Sequence, residues 1–331
     1  MSDDERWIDA ALALAGRGLG RTSPNPPVGC LIVKDGRVVG RGWTQPGGRP
    51  HAEAAALAQA AADARGATAY VTLEPCAHVS ARGAACADLL VEAGLARVVV
   101  AMVDPDLRTA GKGIERLRAT GVEVVVGIAE ARAKAAIAGF LMRQAEGRPF
   151  VTLKLALSID GRIAMADGSS RWITGDAARA HAHLLRARSD LIVVGRGTLE
   201  ADDPALDVRL PGLEDRAPRA AVMSRSLAAI PAHLRLAARD PLLIDSPAAI
   251  DGLEAINDVL VEGGAGVAAA FLAADRVDRL VIYRAPIVIG AGQAGIGDIG
   301  LTDLAAAHGR WRPIESRTLG NDRLEVYERT R

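Results

Sequence analysis

Neither sign of charge prevails in this 331-residue chain, where forty Lys and Arg balance forty Asp and Glu. That balance excludes a global positive field of the kind that draws a protein onto nucleic acid or an anionic membrane, so any bound phosphate must be met by local arginines. Long hydrophobic runs are missing as well. Half of the residues are hydrophobic, yet the longest uncharged stretches, 22–33 and 285–297, run to only about a dozen residues, short of the ~18 that a membrane span needs. The first residues, Met1-Ser2-Asp3-Asp4-Glu5, lack the basic beginning and apolar core of a secretory signal, and a cytoplasmic location is expected. Cysteine is scarce. Cys30, Cys76 and Cys86 are too few for a disulfide framework and odd in number, which suits a reducing compartment and ligand or core roles. At about 150 residues per domain, the length predicts roughly two domains.

The first half alternates helix and strand signals, as expected of helices packed on one sheet. Trp7–Gly16 reads as an amphipathic opening helix. Val28–Val33 and Arg37–Gly40 flank Asp35-Gly36, a dipeptide suited to the positive φ angles of a hairpin turn. His51–Arg65 is alanine-rich without internal glycine or proline and predicts a helix, followed by a buried strand at Ala69–Leu73. Further helices are expected at Ala84–Ala93, Gly113–Ala119 and Glu130–Ala145, with strands at Arg97–Met102 and Val122–Val126. Gly147-Arg148-Pro149 ends the last helix, because proline cannot extend it and pushes its predecessor toward extended geometry. The domain boundary is placed there, giving domains 1–147 and 148–331. The second half alternates again, with strands at Phe150–Lys154, Leu191–Val194, near Ala221 and Leu242, at Val259–Val261 and at Arg279–Tyr283. Its helices are Asp176–Arg188 and Gly266–Ala274.

His51-Ala52-Glu53 and Pro75-Cys76, with Cys86 beyond, are the most informative residues. One histidine and two cysteines suit Zn²⁺, and three protein ligands leave the fourth tetrahedral position open, as in a catalytic site. Glu53 sits two residues from His51 at the start of the same helix, where it can move protons without occupying the metal. Zinc there would supply hydroxide from water at neutral pH, which is the logic of hydrolytic deamination. Read singly, His51 is equally a capping or surface residue, and Cys76 and Cys30 core residues. Together the residues match H-x-E followed by P-C, the deaminase signature, except that the second cysteine comes ten positions after Cys76 instead of three. Cys30, within an apolar strand, is assigned to the core.

In the second half, Gly290-Ala-Gly-Gln-Ala-Gly295 matches G-x-G-x-x-G, but no helix signal follows and too little chain remains for a dinucleotide-binding unit. It is read as a glycine-rich loop. Gly263-Gly-Ala-Gly266 follows a strand and opens a helix, so its N–H groups and the helix dipole suit a phosphate, although a plain tight turn is equally open.

Thr22–Gly29, Lys34-Asp35-Gly36, His51-Ala52-Glu53, Ala69–Cys76 and Asp104-Pro105 resemble, in order and spacing, the deaminase half of the bifunctional riboflavin-biosynthesis deaminase/reductases. Lys154–Ala164, Trp172–Thr174, the helix carrying Arg186, Val194–Thr198, Asp202–Leu206 with Arg209, and Val261–Gly264 resemble the reductase half. The resemblance implies an α/β protein with an N-terminal cytidine-deaminase-like three-layer domain and a C-terminal dihydrofolate-reductase-like domain. It implies zinc on His51, Cys76 and Cys86, with Glu53 as the catalytic proton shuttle. Asn25 and Arg82 are implied as substrate contacts of the deaminase. NADPH is implied as the reductant, bound by Ala156, Trp172, Thr198, Asp202, Ser224, Gly264, Ala265, Gly266, Val267, Ala268, Ala269 and Ala270. Ser170, Arg186, Leu206, Arg209 and Glu262 are implied to line the reductase substrate site. Bidentate guanidinium recognition of phosphate agrees with the arginines, although Arg186 on a helix reads equally as a solvated surface residue. The sequence departs from the family in two places. The segment before Cys86 is one residue longer, and Thr44 stands where a histidine is usual.

The expected activity is deamination of 2,5-diamino-6-ribosylamino-4(3H)-pyrimidinone 5′-phosphate followed by NADPH-dependent reduction of its ribosyl group to ribityl. The expected partner is this small phosphorylated pyrimidine, with no nucleic acid and no membrane, in a homo-oligomer. One alternative is a zinc deaminase of nucleosides or tRNA with an inactive second domain. Another is a binding module with a structural zinc, which requires a fourth ligand, and His78 is the nearby candidate.

Overall fold

The computed structural model describes residues 2–78 and 83–331, and the chain divides into two units, Met1–Gly147 and Arg148–Arg331. The first unit opens with α1 (Asp3–Ala15), which starts earlier than the apolar pattern suggests because Ser2 and Glu5 close a reciprocal capping box. Next come β1 (Gly29–Lys34) and β2 (Arg37–Trp43). Asp35 and Gly36, at φ 50° and 72°, make the tight turn between them. After α2 (Ala52–Ala60), β3 (Thr68–Val71), α3 (Cys86–Glu92), β4 (Arg97–Val100), α4 (Lys112–Ala119) and β5 (Glu123–Val126), the unit closes with α5 (Glu130–Ala136) and α6 (Ala138–Glu146).

Two helices expected to be continuous are broken. The run from His51 to Arg65 stops at Ala61, which turns left-handed at φ 47° and continues as a short 3₁₀ turn. The run from Glu130 to Ala145 breaks at Ile137. Neither break falls at glycine or proline, so local propensity gave no signal. The sheet order is β2-β1-β3-β4-β5, with β1 antiparallel to both neighbours and β3, β4 and β5 parallel. Glycines set how closely helices approach it. A methyl group on Gly29 would lie 1.9 Å from the Ala11 carbonyl oxygen, and one on Gly42 would lie 2.0 Å from that of Ala52. Gly29 and Gly42 belong to adjacent register pairs, so they face opposite sides of the sheet. Accordingly α1 covers one face and α2 the other, giving three layers. The close seat of α2 on Gly42 fixes the helix start that carries His51 and Glu53.

The second unit runs β6 (Phe150–Leu157), β7 (Arg162–Ala164), α7 (Asp176–Ala187), β8 (Leu191–Gly195), α8 (Arg196–Asp202), β9 (Arg219–Met223), β10 (Leu242–Ile244) and β11 (Asp258–Val261). It continues with α9 (Ala265–Ala273), β12 (Arg279–Arg284), β13 (Gln293–Ala294), β14 (Trp311–Leu319) and β15 (Asp322–Arg329). Its eight-stranded sheet has the order β10-β9-β8-β11-β6-β12-β15-β14, parallel from β10 to β12, with β15 and β14 antiparallel. The β14–β15 hairpin was not anticipated. β14 is an exposed edge strand with Pro313 beside a bulge, and its charged residues lack an apolar face to report it. The Gly290–Gly295 loop does not open a helix. Asp160 accepts the N–H groups of Ile289 and Gly290, and β13 then pairs with β7 instead of leading into a helix.

Candidate functional site

In the first unit three helix and strand ends bring the metal-ligating side chains together. His51 is the N-cap residue of α2 but makes no capping hydrogen bond, so its imidazole is free of the bland role the sequence left open. Cys76 lies in the loop after β3, and Cys86 is the first residue of α3. The His51 Nδ1 is 3.6 Å from Cys76 Sγ and 3.3 Å from Cys86 Sγ, and the three donor atoms lie within 4.8 Å of one another. Zn–S and Zn–N bonds of about 2.3 and 2.0–2.1 Å at tetrahedral angles require an N···S edge of about 3.6 Å, so the donor set fits zinc in chemistry and in size. The Cys76 thiol is lowered, first by its hydrogen bond with Cys86 and then by His51 and the Cys86 N–H, which lies 3.3 Å from Sγ. The same hydrogen bond, with burial, pushes Cys86 upward. An N–H of a helix start aimed at a thiolate is a recognised way to stabilise it.

Glu53, in the first turn of α2, is 3 % exposed. Burial pushes its carboxyl up to about 7, against the pull of His51. It also lies in hydrogen-bond reach of the Cys86 side chain. A carboxyl beside an open metal position is placed to hold a proton during an addition–elimination at a ring carbon.

His78 is not a fourth ligand among the described residues. Its Nδ1 meets the Thr109 hydroxyl at 3.5 Å, and the metal-ligating group contains only His51, Cys76 and Cys86. Cys30 is buried within β1. Asn25 donates from Nδ2 to the Gly48 carbonyl at 3.1 Å, which leaves its Oδ1 as the acceptor turned away from that partner. Gly48, at φ 83°, is required there, since a methyl group would come within 2.7 Å of the Asn25 side chain. Thr44 is buried, its hydroxyl donating to the Pro26 carbonyl and accepting the Val28 N–H. It braces the segment that follows Asn25. Arg82 lies outside the described residues.

In the second unit, residues drawn from distant parts of the sequence meet at the carboxyl ends of the parallel strands, where open α/β sheets bind ligands. Ala156 is near the end of β6, Thr198 and Asp202 lie on α8 directly after β8, Ser224 follows β9, and Glu262 follows β11. Strand register keeps these ends level, pairing Val261 with both Val193 and Leu153. Helix α9 starts at N-cap Gly264 without any side-chain cap, so the N–H groups of Ala265, Gly266 and Val267 are open to an anion. Ala268 already donates to Gly264. The side chains of Val267, Ala268 and Ala269 are buried core, so these residues offer packing and backbone only. Gly195 and Gly263 let α9 settle there, because a methyl group on either would meet Val267 at 2.5 Å. The Arg171 guanidinium donates to the Asp202 carbonyl at 2.7 Å and ties the Trp172 segment to α8, while the Arg179 guanidinium stacks 4.8 Å from the exposed Trp172 ring. Ser224 spends its hydroxyl accepting the N–H groups of Ser226 and Leu227. Ser170, just before Arg171, is half-buried.

Arg186 is no solvated surface residue. Its Nε and Nη2 donate to the two oxygens of Glu262 at 2.7 and 3.0 Å, and its Nη1 donates to the Asp207 carbonyl at 3.0 Å. Lys154 Nζ stands 3.5 Å from the same carboxylate. Burial pushes Glu262 up, but Arg186 and Lys154 outweigh it and hold the carboxylate at about 2. Leu206 sits buried at φ 51°, and Arg209 reaches the surface with its guanidinium 2.8 Å from Asp207. Lys154 had been given no site role of its own, although it is a lone cation inside the otherwise uncharged Val151–Leu155 run.

Two family models match the chain. The RibD C-terminal domain covers residues 149–324, and the cytidine and deoxycytidylate deaminase zinc-binding region covers 1–102. The riboflavin biosynthesis protein RibD of Escherichia coli K12 is 40 % identical over 96 % of this chain and 97 % of its own length. That of Mycobacterium tuberculosis H37Rv is 41 % identical over 96 % of each. Among solved structures, Acinetobacter baumannii RibD superposes with a TM-score of 0.85 at 37 % identity, covering 99 % of both chains. The Thermotoga maritima diaminohydroxyphosphoribosylaminopyrimidine deaminase/5-amino-6-(5-phosphoribosylamino)uracil reductase superposes at 0.89 and 31 % identity, again over 99 % of both.

Proposed function

The chain belongs to the RibD family, and is a bifunctional deaminase/reductase of riboflavin biosynthesis with a zinc-binding deaminase domain and an NADPH-using reductase domain; on that premise we propose which residues carry each step and on what substrate. The deaminase is assigned to 1–147 and the reductase to 148–331. The substrate is 2,5-diamino-6-ribosylamino-4(3H)-pyrimidinone 5′-phosphate. The observation that carries the reading is the His51, Cys76 and Cys86 donor set with the buried carboxyl of Glu53 beside it.

His51, Cys76 and Cys86 would hold zinc, which would supply a polarised water that ionises near neutral pH. Glu53 would accept the proton of the attacking water and hand it to the departing amino group, the water oxygen bonding to the ring carbon as its bond to nitrogen breaks and ammonia leaves. Asn25, its amide oriented by Gly48, accepts a hydrogen bond from a ring N–H or amino group, and the resemblance implies Arg82 as a further substrate contact. In the reductase, the open first turn of α9 takes a phosphate of NADPH, with Ala156, Trp172, Thr198, Asp202 and Ser224 completing the pocket. NADPH held there would supply a hydride for the ribose carbon bonded to nitrogen; that carbon's bond to the ring oxygen breaks, the oxygen takes a proton from solvent to give the ribityl hydroxyl, and the protein's part is to align donor and acceptor. Arg186, Glu262, Ser170, Leu206 and Arg209 line the substrate, with Arg209 as the guanidinium exposed enough to meet its phosphate. Among the described residues no helix is long and apolar enough to cross a membrane. We assign the protein to the cytoplasm as a homo-oligomer without nucleic-acid partners.

Metal analysis with an ammonia assay tests the deaminase assignment. Glu53→Gln should keep one zinc per chain and lose ammonia release by 10²-fold or more, whereas Cys86→Ala should lose both zinc and activity. Ammonia release undiminished in Glu53→Gln would remove the glutamate from its role.

A further inference from the structure

Glu74 stands two residues before the ligand Cys76 and is 3 % exposed. Its Oε2 accepts the N–H groups of Asp104 at 3.2 Å and Gly111 at 2.9 Å, and its Oε1 those of Gly113 at 2.9 Å and Ile114 at 3.2 Å. Helix α4 begins at N-cap Gly111, which has no side chain to cap with. Glu74 therefore caps that helix from another part of the chain, satisfying the N–H groups a local Ser or Asp would take. The contact is close. A methyl group on Gly113 would lie 2.0 Å from the Pro75 carbonyl oxygen. On its other side the ligand segment is held by α3, since Ala87 N–H donates to the Cys76 carbonyl at 3.2 Å and Cys86 N–H to Cys76 Sγ at 3.3 Å. The same loop brings buried Thr109 to His78.

We propose that Glu74 is a positioning residue of the deaminase site, clamping the start of α4 and the 104–111 loop onto Pro75 so that Cys76 is held at metal-ligating distance. A carboxylate is needed because four donors converge on it. A glutamine would aim its own NH₂ at two of them.

The proposal rests on the zinc reading of His51, Cys76 and Cys86. It is tested by competing a chromophoric chelator for Zn²⁺ on the full chain and by recording the Co²⁺-substituted visible spectrum. Glu74→Gln should weaken zinc retention about tenfold, the scale of lost outer support around a metal site, and shift the thiolate–Co²⁺ bands. Reduction of the deaminated substrate should be unchanged. Leu117→Ala, which removes core packing from the same helix, should leave retention and spectrum as in the parent. Equal effects from both variants, or parent-like retention in Glu74→Gln, would overturn the proposal. A parent chain that takes up no zinc would overturn the metal reading as well. Should Glu74→Gln fail to fold, hydrogen exchange on the parent decides. By linkage, zinc should slow exchange at Gly111, Gly113 and Ile114, and identical rates with and without zinc would refute the clamp.

Discussion

Replacing Arg186 by leucine removes two hydrogen bonds to Glu262 and one to the Asp207 carbonyl, leaving Lys154 at 3.5 Å as the remaining cation. Side-chain exposures of 15 % for Arg186 and 8 % for Glu262 mean that water does not restore what is lost. Glu262 is held at about 2 against an ordinary 4.5. At ~1.4 kcal/mol per pKa unit that corresponds to about 3 kcal/mol favouring the charged form, matching the roughly 3–5 kcal/mol cost of breaking a buried pair by removing one partner. Because the folded value is depressed, this stabilisation is present in full above about pH 4.5 and is lost as pH falls toward 2. In the variant burial dominates and raises Glu262, so protonation relieves the buried charge and the deficit shrinks from pH 7 toward pH 5. Urea unfolding of the C-terminal unit, followed by circular dichroism at both pH values, measures this. We expect a loss of about 3 kcal/mol at pH 7, a smaller one at pH 5, and recovery of at least half on adding Glu262→Gln. A loss under about 1 kcal/mol at pH 7, the scale of an exposed pair, would show that the Arg186–Glu262 pair does not act as a buried one. So would a deficit indifferent to pH and to the second substitution.

Two further substitutions probe how each unit supports its site. Thr44→Val strands the buried Val28 N–H, and should cost about 1–3 kcal/mol in thermal unfolding and raise the KM of deamination, while Thr44→Ser should stay near the parent. Gly195→Ala drives a methyl group into Val267, and the strain of about 1–3 kcal/mol should lift α9 and raise the KM for NADPH about tenfold or more. Ammonia release should not change, and an unchanged KM would detach α9 from cofactor binding.

The alternation of strands and helices in each half, the Asp35-Gly36 hairpin and the break at Gly147-Arg148-Pro149 were legible because periodicity and turn chemistry are local. Ala61 and Ile137 were not. Their backbone turns are imposed by packing on chemically ordinary residues. The β14–β15 hairpin escaped because an exposed edge strand carries no apolar stripe, although Gly320-Asn321 between Leu319 and Asp322 was a usable turn signal. Residue type and spacing singled out His51, Cys76 and Cys86 as a candidate metal group, and the structure brings their donor atoms within 4.8 Å of one another. The supporting roles of Glu74, Thr44 and Gly48 were hidden. Each acts through backbone groups 16 to 40 positions away or through a steric fit, and no pattern along the chain reports such partners. Arg186 and Glu262, singled out separately, prove to be one ion pair closed by Lys154.

One chain deaminates and then reduces the same pyrimidine. The most direct measurement supplies purified, zinc-loaded protein with the undeaminated substrate and NADPH and follows the loss of NADPH absorbance, with Glu53→Ala alongside. Oxidation is expected with the parent and not with the variant, and is restored when the variant receives the deaminated substrate. Ammonia release by the parent without NADPH oxidation would contradict it, leaving a deaminase whose C-terminal half does not reduce the product.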